Sequence, residues 1–378
     1  MNKILPLVDP SRNTSESELI DFGRNFPPPC PIVNGRLEAT LSAIVETDVA
    51  TAIRFPRFLG SERDRLAGVK WLSRRLGAPP SLETTILTNG SQSALIMLMA
   101  KHVGPSEILL TESLTYPAIK PLAKLLGIQL RGVSIDHDGI DPDDLLRVCR
   151  QEGRKARALY CMPTIHNPTS LITSPERRAA IAQIARDTDL QVFEDDIYGV
   201  LPEIAPPPLS TYAPERSWYI QGLSKSLAAQ LRIAYVVGPS GEALSEVFWP
   251  SVRTTNWMVA PIVAEIATRW LETSTCEELL STVRQETAER RRLATEILHL
   301  APSTGHPSSY HLWLQVPPGM TLNKLILRCR DHGVSIGSGN DFEVDFDSSP
   351  ERFRVGLGVP SNRAVLTRGL EVVGNLTQ

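Results

Sequence analysis

Between residues 84 and 238, short apolar runs alternate with amphipathic stretches. The runs "TTILT", "EILLTE", "IQLRGVSI", "ARALYCMP", "LQVFED", "WYIQG" and "LRIAYVVG" have the length of strands. Between two of them, "SPERRAAIAQIARD" reads as a helix. Ser174 can cap it, Pro175 fits the first turn, and Glu176 suits the positive end of the helix dipole. "DPDDLLRVCRQEG" likewise opens on acids and closes on Gly153. This alternation predicts an α/β fold with a mostly parallel sheet covered on both faces. The triplets Pro27 to Pro29 and Pro206 to Pro208 read as ordered, non-helical connections.

In such sheets ligands collect beyond the carboxyl ends of the strands. The segments found there are "TNGSQSA", "PTIHNPTS", "EDDIYG" and "GLSKS". Together they meet the needs of a pyridoxal phosphate site: an amine for the aldehyde, a carboxylate for the pyridine nitrogen, and donors for the phenolate and phosphate. Lys225 lies between Leu223 and Leu227, where desolvation favours the neutral amine. Arg232 and Ser224 suit the phosphate, as do Gly90, Ser91 and Gln92 at a helix start. Asp195 ends an apolar strand, where a pyridinium would compensate it. Asn167 and Tyr198 suit the ring oxygen, and Tyr116 the ring face. Each also has an ordinary reading: Asp195 as a capping acid beside Asp196, Asn167-Pro168 as a turn, the tyrosines as packing residues.

As an ordered set, these motifs resemble the fold-type I pyridoxal-phosphate enzymes of aminotransferase class I/II. The branch is that of the aminoadipate and kynurenine aminotransferases and of the aminotransferase-like domains of winged-helix regulators. The resemblance rests on "LTNGSQSAL", "TYP", "MPTIHNPTS", "FEDDIYG", "GLSKSLAAQLRIAYVVGP" and "ERFRVGLG", and runs from about residue 20 to the C-terminus. It implies a seven-stranded large domain at 56–265, a smaller α+β domain at 266–378, and an N-terminal arm at 1–55 shared with the small domain. It further implies pyridoxal 5′-phosphate, a homodimer, Lys225 as the catalytic Schiff-base lysine with Asp195 and Tyr198, and Arg354 as the grip on the substrate carboxylate. Asn167 joins the substrate contacts, and "IDFGRNFPPP" places Asn25 and its neighbours at the pocket.

Three positions depart from the family pattern. Gly222 replaces a serine three places before the lysine, Phe55 replaces a tyrosine that reaches across the dimer, and "NPTS" ends on Ser170 instead of glycine. Two lost hydroxyls weaken phosphate binding by about 1–3 kcal/mol in total. The expected activity is transfer of an amino group from an α-amino acid to a 2-oxo acid. A β/γ-substitution or carbon–carbon bond-forming reaction on the same scaffold is the alternative.

Composition narrows the setting. A net charge of −3 gives no electrostatic footprint for nucleic acid or membrane. The five cysteines are scattered, with no metal-ligand spacing among them or the histidines, which fits a reducing compartment. The opening residues show no signal-peptide core, and no run approaches 18 apolar residues. A cytoplasmic enzyme with no metal is expected. Some 20 residues precede "IDFGRN", too few for a winged helix.

Overall fold

A computed structural model describes residues 19–47, 49–301, 304–345 and 351–377. The opening segment, read above for a signal peptide, falls largely outside them. Thirteen strands are found among the described residues. β1 (Ile20–Phe22), β11 (His311–Gln315), β12 (Val334–Ser338) and β13 (Arg352–Gly356) form a small sheet in the order β1-β12-β13-β11. β2 (Thr85–Thr88), β3 (Ile108–Glu112), β4 (Gln129–Val133), β7 (Ala156–Cys161), β8 (Gln191–Asp195), β9 (Ser217–Gly222) and β10 (Ala234–Val237) form the large one, ordered β2-β10-β9-β8-β7-β3-β4. β5 (Ile135–Asp136) and β6 (Gly139–Ile140) make a separate hairpin.

In the large sheet only β10 runs antiparallel to its neighbours. The expected seven-stranded, mostly parallel sheet is therefore present. Apart from the edge strand β4, its strands are largely buried on both faces, which is why they read as continuous apolar runs. The helix Pro175–Asp187 starts at Ser174, whose hydroxyl accepts from the Arg177 amide. Asp141 caps the helix Pro142–Glu152 in the same way. The division expected at 265/266 falls inside the helix Pro261–Glu272, which packs on the helix Glu62–Leu76. No helix among the described residues is long and apolar enough to cross a membrane.

The strand end at β8 carries three adjacent acids, all buried. Glu194 lies 3.6 Å from the guanidinium of Arg178, and its two oxygens accept from the amides of Leu209 and Ser210 at 2.8 and 2.7 Å. Asp196 accepts from Arg75 Nε at 2.9 Å and from the Tyr219 hydroxyl at 2.8 Å. The arginines also hold the loops around the strand ends. Arg178 donates to the carbonyls of Thr173 (2.9 Å), Pro163 (2.8 Å) and Pro207 (3.1 Å), and Arg75 to that of Pro206 (3.1 Å). The second proline triplet is thus an ordered connection because its carbonyls, free of helical partners, satisfy buried guanidinium groups.

This network generates a prediction. Arg178→Met keeps much of the volume but leaves Glu194 buried without its cation and three loop carbonyls without a donor. Stability should fall by about 3–5 kcal/mol, the cost of breaking a buried ion pair from one side. Urea denaturation of the two proteins checks it; a loss below about 1 kcal/mol would show the pair to be dispensable.

Candidate active site

The loop after β9 is pinched shut where the Leu223 amide donates to the Ile233 carbonyl at 2.9 Å. Ser224, Lys225 and Arg232 sit on it, facing a cavity of about 430 Å³. The same cavity is lined by Ser91, Gln92, Tyr116, Asn167, Asp195, Tyr198, Asn25 and Arg354. Eleven of the twelve residues singled out in the sequence therefore share one space. Gly90 is the exception: it caps the helix Ser91–His102 at φ 84° and stands against Arg232, outside the lining. Phe55 does not line the cavity either and is 58% exposed.

Lys225 Nζ donates to the Asn25 backbone carbonyl and lies 5.3 Å from the centre of the Phe26 ring. Burial, with Arg354 and Arg232 nearby, pulls its ammonium down to about 8. Asp195 accepts from the Tyr160 hydroxyl at 3.2 Å through Oδ2, while Oδ1 is buried with no partner among the described residues. Burial is the main force raising its carboxyl to about 7, with Tyr160 and Lys225 pulling the other way. Arg354 donates to Asn167 Oδ1 at 2.8 Å and to the Gly23 carbonyl at 2.6 Å, and its Nε has no partner among the described residues. Phe353 and Val355, its neighbours on β13, are buried in the core, as strand alternation requires. Gln92 donates to the Tyr116 hydroxyl at 3.1 Å.

Two sheets meet in this cavity. The small sheet contributes Arg354, and the chain leaving β1 contributes 23–26. Asp21 shapes that exit by accepting from the Gly23 and Arg24 amides at 2.8 and 3.2 Å. The segment then passes so close to "VGLG" that a Cβ at Gly358 would lie 1.8 Å from the Phe26 carbonyl. Only glycine permits that approach. Strain gathers on the other side: Ile165, Ser170 and Arg232 have φ of 52°, 63° and 52°, each costing about 1–3 kcal/mol.

The departures also find their places. Ser170 holds the left-handed position, and its hydroxyl donates to the His311 carbonyl at 2.9 Å. A Cβ at Gly222 would lie 2.8 Å from Ser91 Oγ, which is itself buried without a partner. Sequence reasoning missed Tyr160 and His311. Tyr160 gave no signal beyond its position in an apolar strand, and His311 joins the site only through tertiary contact.

A mostly parallel seven-stranded sheet, with an amine and a buried acid at its strand ends, defines the class of fold-type I pyridoxal-phosphate enzymes. The chain belongs to the aminotransferase class I and II family, whose model matches residues 36–372. Pyridoxal 5′-phosphate is the cofactor of that class, and the residues fit it: Asp195 Oδ1 and Ser91 Oγ are unpartnered and buried, beside an amine of lowered basicity.

Among relatives, an uncharacterized HTH-type transcriptional regulator of Bacillus subtilis, YdeF, is 30% identical over 311 residues. The match spans 82% of this chain and 66% of that protein. Aromatic-amino-acid aminotransferase 1 of Thermococcus litoralis is 27% identical over 226 residues, 58% of this chain and 54% of its own length. The chain thus spans about half to two thirds of the length of these relatives. In fold it is similar to Pyrococcus horikoshii kynurenine aminotransferase, with a TM-score of 0.85 at 23% identity, covering 96% of this chain and 91% of that one. The α-aminoadipate aminotransferase LysN of Thermus thermophilus gives 0.83 at 22% identity, covering 95% and 92%.

The lowered basicity of Lys225 gives the second prediction. In the cofactor-free protein, its amine should become reactive towards an acylating reagent with a midpoint near pH 8: protonated and inert below it, neutral and reactive above. Peptide-resolved labelling across pH 6–11 reads this directly, and a midpoint above pH 10 would contradict the burial argument.

Proposed function

We propose that the protein is a pyridoxal-phosphate-dependent aminotransferase that moves the amino group of an α-amino acid to a 2-oxo acid. One observation carries the reading: an amine of lowered basicity, a buried carboxyl with a free oxygen and a buried guanidinium share one cavity. In this reading Ser91, Gln92, Ser224 and Arg232, with the free amides that follow Gly90, hold the phosphate. Tyr116 covers a ring face. Asn167, whose Oδ1 is engaged by Arg354, turns Nδ2 towards the ring oxygen with Tyr198. Asp195 accepts from the ring nitrogen.

When bound, the cofactor supplies an electrophilic carbon and a ring that takes up the electron pair left when the Cα proton departs. Lys225 accepts that proton at Nζ and later returns one, a role suited to an amine titrating near 8. Arg354 binds the α-carboxylate through Nε and an adjacent amino group, fixing its plane. Asn25 and Phe26 cover Lys225 and keep bulk water from the exchanged proton.

The assembly in this reading is a cytoplasmic homodimer. Leu41, Val45, Val49, Ile53 and Phe55 are all exposed along 41–55, an apolar stretch that a second copy would cover.

A single-turnover experiment tests the chemistry. Amino acids added to the loaded protein should convert the aldehyde form of the cofactor to the amine form and release a 2-oxo acid, and Lys225→Ala should abolish this. Arg354→Met should raise the half-saturating amino acid concentration roughly ten- to a hundredfold, the worth of about 1.5–3 kcal/mol of charge-assisted hydrogen bonding. Return of the aldehyde form with a product other than a 2-oxo acid would instead indicate substitution or carbon–carbon bond chemistry.

A further inference from the structure

The loop that follows β12 carries an aromatic ring to the substrate grip from outside the cavity lining. The Arg354 guanidinium lies 4.9 Å over the centre of the Phe342 ring, and both residues are buried. That ring meets Trp313 edge to face, with centres 5.6 Å apart and planes at 77°. Trp313 and Arg354 stand directly opposite each other on β11 and β13, so both side chains leave the same face of the small sheet. Phe342 packs on the pair.

The main chain fixes where the ring stands. The Phe342 amide donates to the Gly339 carbonyl at 3.0 Å, and its own carbonyl accepts from the Thr115 amide at 2.8 Å. The Val344 amide donates to the Ser113 carbonyl at 3.0 Å, and Lys120 Nζ to the Asp341 carbonyl at 2.7 Å. The loop is thereby stitched to the segment that presents Tyr116.

Arg354 has use for such a support. Its bonds to Asn167 Oδ1 and to the Gly23 carbonyl hold the two terminal nitrogens of the fork. Nε has no partner among the described residues. A planar group held at two points still rocks about the line between them, and a flat ring against its face removes that freedom. A carboxylate aligns both oxygens with two parallel N–H bonds only when the plane of the fork is fixed.

We propose that Phe342 is a positioning residue that holds the plane of the Arg354 guanidinium, so that the substrate carboxylate is met by two hydrogen bonds and not one. The negative face of the ring also stabilises the cation. That effect opposes carboxylate binding, because ring and carboxylate compete for one charge. Loss of the ring therefore separates the two roles by sign: a positioning ring strengthens recognition of a carboxylate, and a purely electrostatic one weakens it.

This inference rests on the amino acid reading above, and binding by unreactive ligands separates the two. α-Methyl amino acids have no Cα proton to lose, and their primary amides keep the shape but offer one acceptor and no charge. Calorimetry on the loaded enzyme, with α-methylalanine and α-methylleucine each paired with its amide, reads affinity and not turnover. In the unsubstituted protein the acid should bind at least about tenfold more tightly than the amide. Phe342→Leu should lower that ratio at least about fivefold, as one of two charge-assisted bonds is lost. Replacing Phe342 by its trifluorinated form, equally flat but with a weaker negative face, should not lower it. Trp313→Leu removes the contact at the ring's edge from a partly exposed position. It should lower the ratio too, and it decides the question should Phe342→Leu not fold. An unchanged or raised ratio in folded Phe342→Leu, an unchanged one in Trp313→Leu, or an equal fall with the trifluorinated ring overturns this inference alone. A ratio near one in the unsubstituted protein, or no binding by any of these ligands, overturns the reading of Arg354 as the carboxylate grip and this inference with it.

Discussion

Three carboxyl groups in a row, buried at the end of one strand, are the constraint around which this structure is arranged. Strand alternation sends Glu194 and Asp196 one way and Asp195 the other. The outer two are met by Arg178 and Arg75, so their charge is compensated where it is buried. Asp195 is given only a tyrosine hydroxyl, and one of its oxygens is left open. A single sequence triplet thus builds both a scaffold and a demand: two acids tie loops together, and the third requires a donor that none of the described residues supplies. A protonated ring nitrogen is such a donor.

The same network explains how the strained loops around the site are tolerated. Ile165 and Ser170 hold left-handed backbone within a loop whose ends, Pro163 and Thr173, are both gripped by Arg178. The loop also reaches the small sheet. Ser170 donates to the His311 carbonyl, the His306 amide donates to the Ser170 carbonyl, and Arg354 donates to Asn167. Substrate-facing groups from two sheets are therefore fixed relative to each other through a few short segments, which suits a reaction that depends on orientation.

Much of this was legible in the sequence for a simple reason. In a parallel sheet the chemistry follows strand ends, and strand ends are visible as the stop of an apolar run. Asp195, Lys225, Ser91 and Asn167 could be found that way, and Arg354 from the family pattern. His311 could not, because nothing local marks it. It becomes part of the site only when β11 joins the sheet that also holds β1, from the opposite end of the chain. Arg178 was hidden differently: nothing in "SPERRAAIAQIARD" sets it apart from Arg177 beside it, yet it is 0% exposed. Charge alone does not show which arginine will be buried; the carbonyls it must satisfy are distant in sequence.

The departures from the family pattern gain meaning when set against their neighbours. Counted as a lost hydroxyl, Gly222 weakens phosphate binding. Yet the space that its side chain would enter belongs to Ser91, whose hydroxyl is within 2.8 Å of that point and lacks a partner. A serine at both positions would crowd one small volume, so the glycine on β9 and the serine on the helix act as a pair, each suited to the other. Ser170 has a similar counterpart. Its Cβ lies 3.0 Å from the place where a Cβ on Gly305 would stand, so the bulk added in "NPTS" is offset by glycine on the facing loop. Phe55 has no counterpart in this cavity, because it lies outside it. Two of the three departures thus repack the site without emptying it. Substrate preference is then better sought in the groups that line the cavity than in a missing phosphate donor.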